Sequence, residues 1–277
     1  MSGTLYVVAT PIGNLDDWSN RAVETLRRAD HIAAEDTRHT GRLLSHFGIK
    51  TPTFALHEHN EDQRSEQAIA QLQSGESIAL VSDAGTPLLS DPGYRLIRLA
   101  HDAGVPVVPI PGPSALTAAL SVAGLPTDRF CFEGFLPSRS KARETILRSL
   151  ADEERTLIFF ESVHRVADTL AAMAAVFGPG REAFIGRELS KLHEQCVLST
   201  LGDLSRAISD GEIPSKGEFV IVVQGADPVS PSSTDVDALL GELIQVVPGK
   251  QAAEIAARLT GGKRNEIYQR MLELRGS

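Results

Sequence analysis

Four short apolar runs, residues 5–9, 31–34, 78–81 and 105–110, punctuate the first half of the chain, and each ends in a loop of turn-forming or polar residues. Between them, residues 21–29 and 64–73 carry the period of amphipathic helices. Strands alternating with helices imply a mostly parallel sheet. In such a sheet ligands collect beyond the carboxyl ends of the strands, where helices begin and their first N–H groups are free. The most unusual sequence lies in those positions.

The second half reads differently. Strand candidates at 129–135, 156–161, 183–187, 196–200 and 218–224 include neighbours too close for a helix between them, so antiparallel pairing enters and a mixed sheet is expected. A helix is expected over 165–177, ended by Gly178-Pro179-Gly180. A linker at 227–234 carries Pro228, Pro231 and three serines, and helical segments follow at 235–246, 251–259 and 264–274. At 277 residues the chain is longer than a usual single domain. The expected fold is α/β, with one lobe over 1–113, a second with a mixed sheet over 114–227, and a small helical tail over 235–277. The tail is either a miniature helix-turn-helix presenting Lys250, Lys263 and Arg264 to RNA, or a packing or dimer-stabilising element.

Apolar content of 42% with 23% charged residues describes a globular chain. Its longest apolar runs, 156–160 and 219–223, fall far short of the roughly 20 residues of a membrane span. The first strand-like run begins at Leu5 with no basic segment or apolar signal core before it, which argues against secretion. Cys131 and Cys196 stand far apart without metal spacing, so a reduced cytoplasmic setting is expected, with both as half-buried strand residues. A formal charge of -9 speaks against a protein that coats DNA or RNA electrostatically, but leaves room for local basic faces. One such face is 137–149, where Arg139, Lys141, Arg143 and Arg148 oppose only Glu144; Arg38, His39 and Arg42 form a second cluster.

The strand-end loops carry the chemistry. Thr10-Pro11-Ile12-Gly13-Asn14 follows the first strand and would serve equally as a structural turn. Glu35-Asp36-Thr37-Arg38 places two acids, a hydroxyl and a guanidinium at a strand end, suited either to substrate handling or to capping the next helix. Ser82-Asp83-Ala84-Gly85-Thr86-Pro87 and Ser90-Asp91-Pro92-Gly93 are two acid-containing turns leaving one strand, where backbone can approach a ligand closely while a carboxylate faces it. In Pro111-Gly112-Pro113-Ser114-Ala115, Ser114 is placed to cap a small-residue helix over 115–123. No dinucleotide, P-loop, hydrolase or paired C-x-x-C motif is present. His57-Glu58-His59-Asn60 lacks an identifiable third ligand, so no metal is expected and a solvated loop or polar substrate contacts fit better.

Taken together, V-A-T-P-I-G-N (8–14), A-A-E-D-T-R (33–38), S-D-A-G-T-P-L-L-S-D-P-G (82–93), P-G-P-S-A (111–115), F-F-E-S-x-H-R (159–165) and G-R-E-L-S-K (186–191) resemble the RsmI-type ribosomal RNA small-subunit methyltransferases. Those belong to the tetrapyrrole-methylase-like, or class III, methyltransferases. The resemblance implies two α/β lobes with S-adenosylmethionine in the cleft between them, a homodimer, and a cytidine ribose of 16S ribosomal RNA in the small subunit as substrate. Carried over by position, Pro11, Ser82, Asp83, Thr86, Ser114 and Ala115 would hold the cofactor from the first side, and Phe160, Glu161, Leu189 and Glu218 from the second.

Methyl transfer from a sulfonium is an in-line displacement that needs alignment, exclusion of water and a route for one proton. Glu35, Asp36, Arg38, Arg187 and Lys191 are the candidates for base or alkoxide stabiliser, because they sit in the polar family-like motifs at strand ends. Caps and ion pairs would account for the same residues. A tetrapyrrole or protein-side-chain methylase of the same fold, and a non-catalytic ribosome-assembly factor, are the alternative functions.

Overall fold

The computed structural model describes residues 2–227 and 233–276. The first half runs β1 (Leu5–Val8), α1 (Asn20–Arg28), β2 (His31–Ala34), α2 (Thr37–His46), β3 (Thr53–Ala55), α3 (Glu61–Gln73), β4 (Ile78–Val81), α4 (Tyr94–Asp102) and β5 (Val107–Ile110). Its five strands pair in parallel in the order β3-β2-β4-β1-β5. Strand β3 has no counterpart among the strands expected from the sequence. It is only three residues long, follows Pro52, and is defined by pairing with β2 rather than by any periodicity of its own. Pro109 is accommodated because β5 is the opposite edge of the sheet. Ala22, Val23, Leu26 and Leu44 from α1 and α2 cover one face of the sheet, while Ala68, Leu72, Leu96 and Ala100 from α3 and α4 cover the other.

The chain continues through α5 (Ala115–Val122), β6 (Phe130–Phe135), α6 (Ser140–Ser149), β7 (Thr156–Ser162), α7 (Val166–Phe177), β8 (Glu182–Arg187), β9 (Gln195–Thr200), α8 (Leu201–Ser209) and β10 (Glu218–Val223). These strands form a mixed sheet, β6-β7-β10-β8-β9, in which only β6 and β7 run parallel. One face buries Leu147, Leu170, Met173 and Leu204 of α6, α7 and α8. The other packs α5, through Leu116, Ala119 and Ala123, against Ile158, Phe184, Val220 and Val222. Ile12 and Leu89 from the loops of the first sheet also reach this face, so it meets the carboxyl ends of the first sheet's strands. Cys131 is half-buried as expected, but Cys196 is exposed, because β9 is an edge strand with an open outer side.

Residues 1–225 form one compact unit and 226–277 a second. The expected linker lies largely outside the described residues. The second unit contains α9 (Ser233–Val246), α10 (Gly249–Thr260) and α11 (Arg264–Gly276), packed around Leu240, Ala253, Ala256, Ile267 and Met271. Three of its basic residues face acids of the same unit: Arg270 grips Asp237 with two hydrogen bonds of 2.7 and 2.6 Å, Lys263 lies 3.3 Å from Glu266, and Arg264 lies 3.5 Å from Glu254, whereas Lys250 makes no ion pair among the described residues. Among the described residues no helix is long and apolar enough to cross a membrane.

Candidate active site

The strand order sets β2, β4, β1 and β5 side by side, so their four carboxyl-end loops converge although they are distant in sequence. Direct bonds knit them together. Thr10 and Gly85 exchange backbone hydrogen bonds of 2.8 and 3.1 Å, the Thr10 hydroxyl donates to the Ser82 carbonyl, and the Thr86 hydroxyl donates to the Pro113 carbonyl. The Asp36 amide donates to the Asp83 carboxylate at 3.2 Å. A cleft of about 380 Å³ opens above this floor, within the size of small-ligand sites. Glu35, Asp83, Thr86, Asp91, Ser114 and Ala115 line it from the first sheet's loops and α5, and Phe135, Phe160, Glu161, Leu189 and Glu218 line it from the second sheet.

Three carboxylates share the first side. Burial pushes the Asp91 carboxyl up to about 6; the negative charges of Glu35 and Asp83 add to that, while a hydrogen bond from Ser82 opposes it. Burial also raises Glu35, with the charge of Asp83 as the next cause. The four non-glycine residues with positive φ among the described residues, Leu88, Ser90, Glu188 and Ser190, all fall in two cleft-lining loops. Such backbone is sparsely populated and concentrates where ligands bind.

The expected site residues divide into those the fold brings to the cleft and those it employs elsewhere. Asp83, Thr86, Ser114, Ala115, Phe160, Glu161, Leu189 and Glu218 line the cleft, as does Glu35; Pro11 and Ser82 are buried and do not line it. Asp36 caps α2, accepting from the Arg38 amide at 2.8 Å, and its carboxylate takes the Arg38 guanidinium through two further bonds. Those bonds hold the Asp36 carboxyl well below the usual carboxylate range and leave Arg38 pointing into solvent. Arg187 is buried and spends its guanidinium on the Lys216 and His193 carbonyls, at 2.7 and 2.9 Å, which ties the β8–β9 loop to the segment before β10. Lys191 bridges Glu188 and Glu218, each at 2.9 Å. Burial works against its charge, yet the two carboxylates outweigh that and raise its pKa. Its stem lies so close to Gly13 that a Cβ there would meet Lys191 Cγ at 2.2 Å, and the Ser190 hydroxyl donates to Asp17 beside it, so this loop straps the second sheet to the loops of the first.

Ser114 occupies the N-cap position of α5, but its hydroxyl makes no capping bond and instead lines the cleft. Glu161 is the reverse case: it lines the cleft, but its carboxylate already accepts from Arg165, the Ser162 amide and Thr169, each at 2.7 Å. The cleft is also lined by Ile12, Phe135 and Ser162, to which the sequence assigns no role, and by Asp91, which the sequence places in a ligand-facing turn without an individual role. For Asp91 the signal was present, in the second acid-containing turn after β4. His57 and His59 stand in a turn before α3 with ring centroids 6.0 Å apart, and among the described residues no group of three or more His, Cys, Asp or Glu side chains is arranged to hold a metal ion.

Comparison with known proteins agrees with this architecture. Residues 4–205 match the family Tetrapyrrole (Corrin/Porphyrin) Methylases, and residues 230–275 match the RsmI C-terminal HTH domain. The chain is 53% identical to the ribosomal RNA small subunit methyltransferase I of Xylella fastidiosa, over 96% of this chain and 98% of that one. It is 50% identical to the protein of the same name from Escherichia coli O157:H7, over 99% and 96%. Among solved structures, a uroporphyrin-III C-methyltransferase from Thermus thermophilus complexed with S-adenosyl homocysteine superposes with a TM-score of 0.55, at 17% identity, covering 80% of this chain and 97% of the other. A diphthine synthase gives a TM-score of 0.59 at 20% identity over 80% and 90%, a likeness of fold alone. With its convergent strand-end loops, its cleft and near-full-length relatives at about half identity, the chain belongs to the tetrapyrrole methylase family and, within it, to the ribosomal RNA small subunit methyltransferases I.

Proposed function

We propose that this protein transfers a methyl group from S-adenosylmethionine to the ribose 2′-hydroxyl of a cytidine in the 16S RNA of the small ribosomal subunit. The observation that carries the reading is identity of about half to small-subunit RNA methyltransferases over 96–99% of the chain, coupled to an acid-lined cleft. The residues suit the donor. S-adenosylmethionine, when bound, supplies an electrophilic methyl on a positively charged sulfonium, and Glu35, Asp83, Asp91 and Glu218 surround the cleft with negative charge. Asp83 and the unpartnered cap hydroxyl of Ser114 can bind its hydroxyl and amino groups, with Thr86, Ala115, Phe160 and Leu189 forming the remaining walls. Pro11 and Ser82 support these from behind.

Among the carboxylates, Asp91 is our choice for the group that takes the proton of the ribose hydroxyl at its Oδ, since its raised pKa lies near the working pH, where a general base is most effective. Burial is the main cause of that shift, and the charge of Glu35 adds to it. Lys191 orients Glu218 and Glu188, and Arg187 and the Asp36–Arg38 pair shape the loops. Residues 1–113 and 114–227 act as the two jaws. Recognition of RNA falls to local cations. Arg139 and Lys141, exposed at the start of α6, make no ion pair among the described residues, whereas Arg143 is buried and Arg148 is paired with Glu144. A cytoplasmic homodimer acting on the assembled subunit completes the proposal.

Isothermal calorimetry with S-adenosylmethionine, and mapping of ribose methylation in ribosomal RNA from a strain lacking the gene, test it. The expected results are binding and the loss of one small-subunit ribose methylation; no binding at millimolar ligand, or an unaltered methylation map, would refute it. Ser114→Ala is expected to weaken S-adenosylmethionine binding by about tenfold, the worth of one hydrogen bond to a bound ligand. Its thermal midpoint should hold, because no capping bond is lost.

A further inference from the structure

Strand β6 contains a local irregularity that decides where one ring points. Phe132 pairs with Ile158 and Phe135 with Phe160, and between them Gly134 pairs with Phe159 while Glu133 is skipped. In an unbroken strand residues 132 and 135 would face opposite sides of the sheet. The one-residue bulge, made possible by Gly134 at φ +64, sets both rings on the face that carries Ile158 and Phe160. Phe132, Phe160 and Phe135 then form an edge-to-face series with centroid separations of 4.8 and 5.7 Å. The first two are partly buried in the core, while Phe135 ends the series in the cleft at 53% exposure. A large apolar ring held open to solvent by a dedicated backbone distortion is not explained by packing.

Its surroundings indicate what covers it. Gly134 abuts Ser90, whose hydroxyl would lie 2.9 Å from an added Cβ, and Ser90 adjoins Asp91. Past Phe135 the chain enters α6, where Arg139 and Lys141 stand exposed. Phe135 and the Asp91 carboxylate thus line the same cleft, and two cations without an ion pair among the described residues follow Phe135 closely in the chain. A single nucleotide has the matching parts, since its base and ribose are directly bonded and phosphates flank both.

We propose that Phe135 is the platform on which the base of the methylated nucleotide stacks after leaving the stack of its own RNA. The inference rests on the reading of this cleft as an RNA ribose methyltransferase site. A cleft of about 380 Å³ does not admit a helix, so the target nucleotide must be splayed out, and unstacked bases are held on aromatic faces. The carboxylate beside the ring then meets the ribose, and Arg139 and Lys141 meet the flanking phosphates.

The test compares Phe135→Ala, Phe135→Leu and Phe135→Trp in the full-length protein, with small ribosomal subunits from cells lacking the gene as substrate. Phe135→Ala should raise KM for subunits by about 10- to 100-fold, the scale of a lost base–aromatic stack. Calorimetric affinity for S-adenosylmethionine should stay as in the wild type. Phe135→Trp should restore most of the KM, and Phe135→Leu, apolar but without a flat face, should not. An unchanged KM in Phe135→Ala, equal rescue by Leu and Trp, weakened S-adenosylmethionine binding, or an altered sedimentation coefficient would each overturn the proposal, the last two assigning the ring to the cofactor or to a subunit contact. A wild-type protein that neither binds S-adenosylmethionine nor methylates subunits would instead overturn the enzyme reading beneath it.

Discussion

Replacement of Asp91 by Asn is expected to lower kcat by about 10²- to 10⁴-fold, the usual contribution of a positioned general base, while S-adenosylmethionine still binds. Asn keeps the shape and hydrogen-bonding capacity of the side chain but cannot accept the hydroxyl proton. The wild-type pH profile gives a second readout. Asp91 works deprotonated, so kcat/KM should rise with pH, level off above about 6, and lose that limb in the variant. The kcat profile, which reports the loaded enzyme, should break at a lower pH, since a cation in the cleft favours the ionised carboxylate.

Stability should move the other way. The folded pKa of Asp91 lies above its unfolded value, so the stability it contributes is present below the ordinary carboxylate pKa and is lost as pH rises through about 6. At neutral pH the charged group strains the folded state, and Asp91→Asn should be the more stable protein by on the order of 1 kcal/mol once solvent screening is allowed for. Urea titrations at pH 5 and 7.5 measure this. An inactive variant that is also less stable at pH 7.5 would show that Asp91 holds structure instead of a proton.

Arg165→Ala is expected to destabilise the protein by about 3–5 kcal/mol, because it leaves a buried carboxylate without its counter-ion. Glu161 is 1% exposed and 2.7 Å from the Arg165 guanidinium, which also donates to the Leu136 carbonyl at 2.9 Å and to the Ser162 hydroxyl. Loss of the arginine therefore releases the end of β6 next to Phe135 as well as the charge. The double variant Glu161→Gln/Arg165→Met should recover much of the loss, since neither side then carries an unpaired charge. Denaturant midpoints for the four proteins of the cycle decide the matter, and a cost below about 1 kcal/mol for Arg165→Ala would mean that solvent already screens the pair.

The division between cap and active-site group shows where residue types stop being informative. Glu35 and Asp36 are adjacent acids at one strand end, yet only Glu35 lines the cleft, while Asp36 caps α2 and clamps Arg38. Both roles require the same residue type at the same position in the chain, and which acid turns inward depends on the packing of β2 against β4. Arg187, expected as a candidate catalytic group, and Glu161, expected as a cofactor contact, are both buried with their charged groups hydrogen-bonded to neighbouring protein groups, while Glu161 still lines the cleft. Ser114 looked like a cap and has its hydroxyl free.

What the sequence determined by itself is the sequence-local part of the fold: β2 and β4 at their full extents, five strands of the second sheet to within a residue or so, the helices of the tail, and the four loops in which the chemistry resides. These follow from short-range periodicity and turn chemistry, which each segment carries in its own residues. Tertiary structure alone decided the rest. The three-residue β3 exists only through its partner β2, and the convergence of four distant loops depends on the strand order β3-β2-β4-β1-β5. Regular alternation along β6 turns Phe135 away from the cleft; the bulge before Gly134 turns it in. The physical reason is common to all three: strand order, register and burial are set by contacts between segments far apart in the chain, and a one-residue slip in register reverses the face of every side chain beyond it.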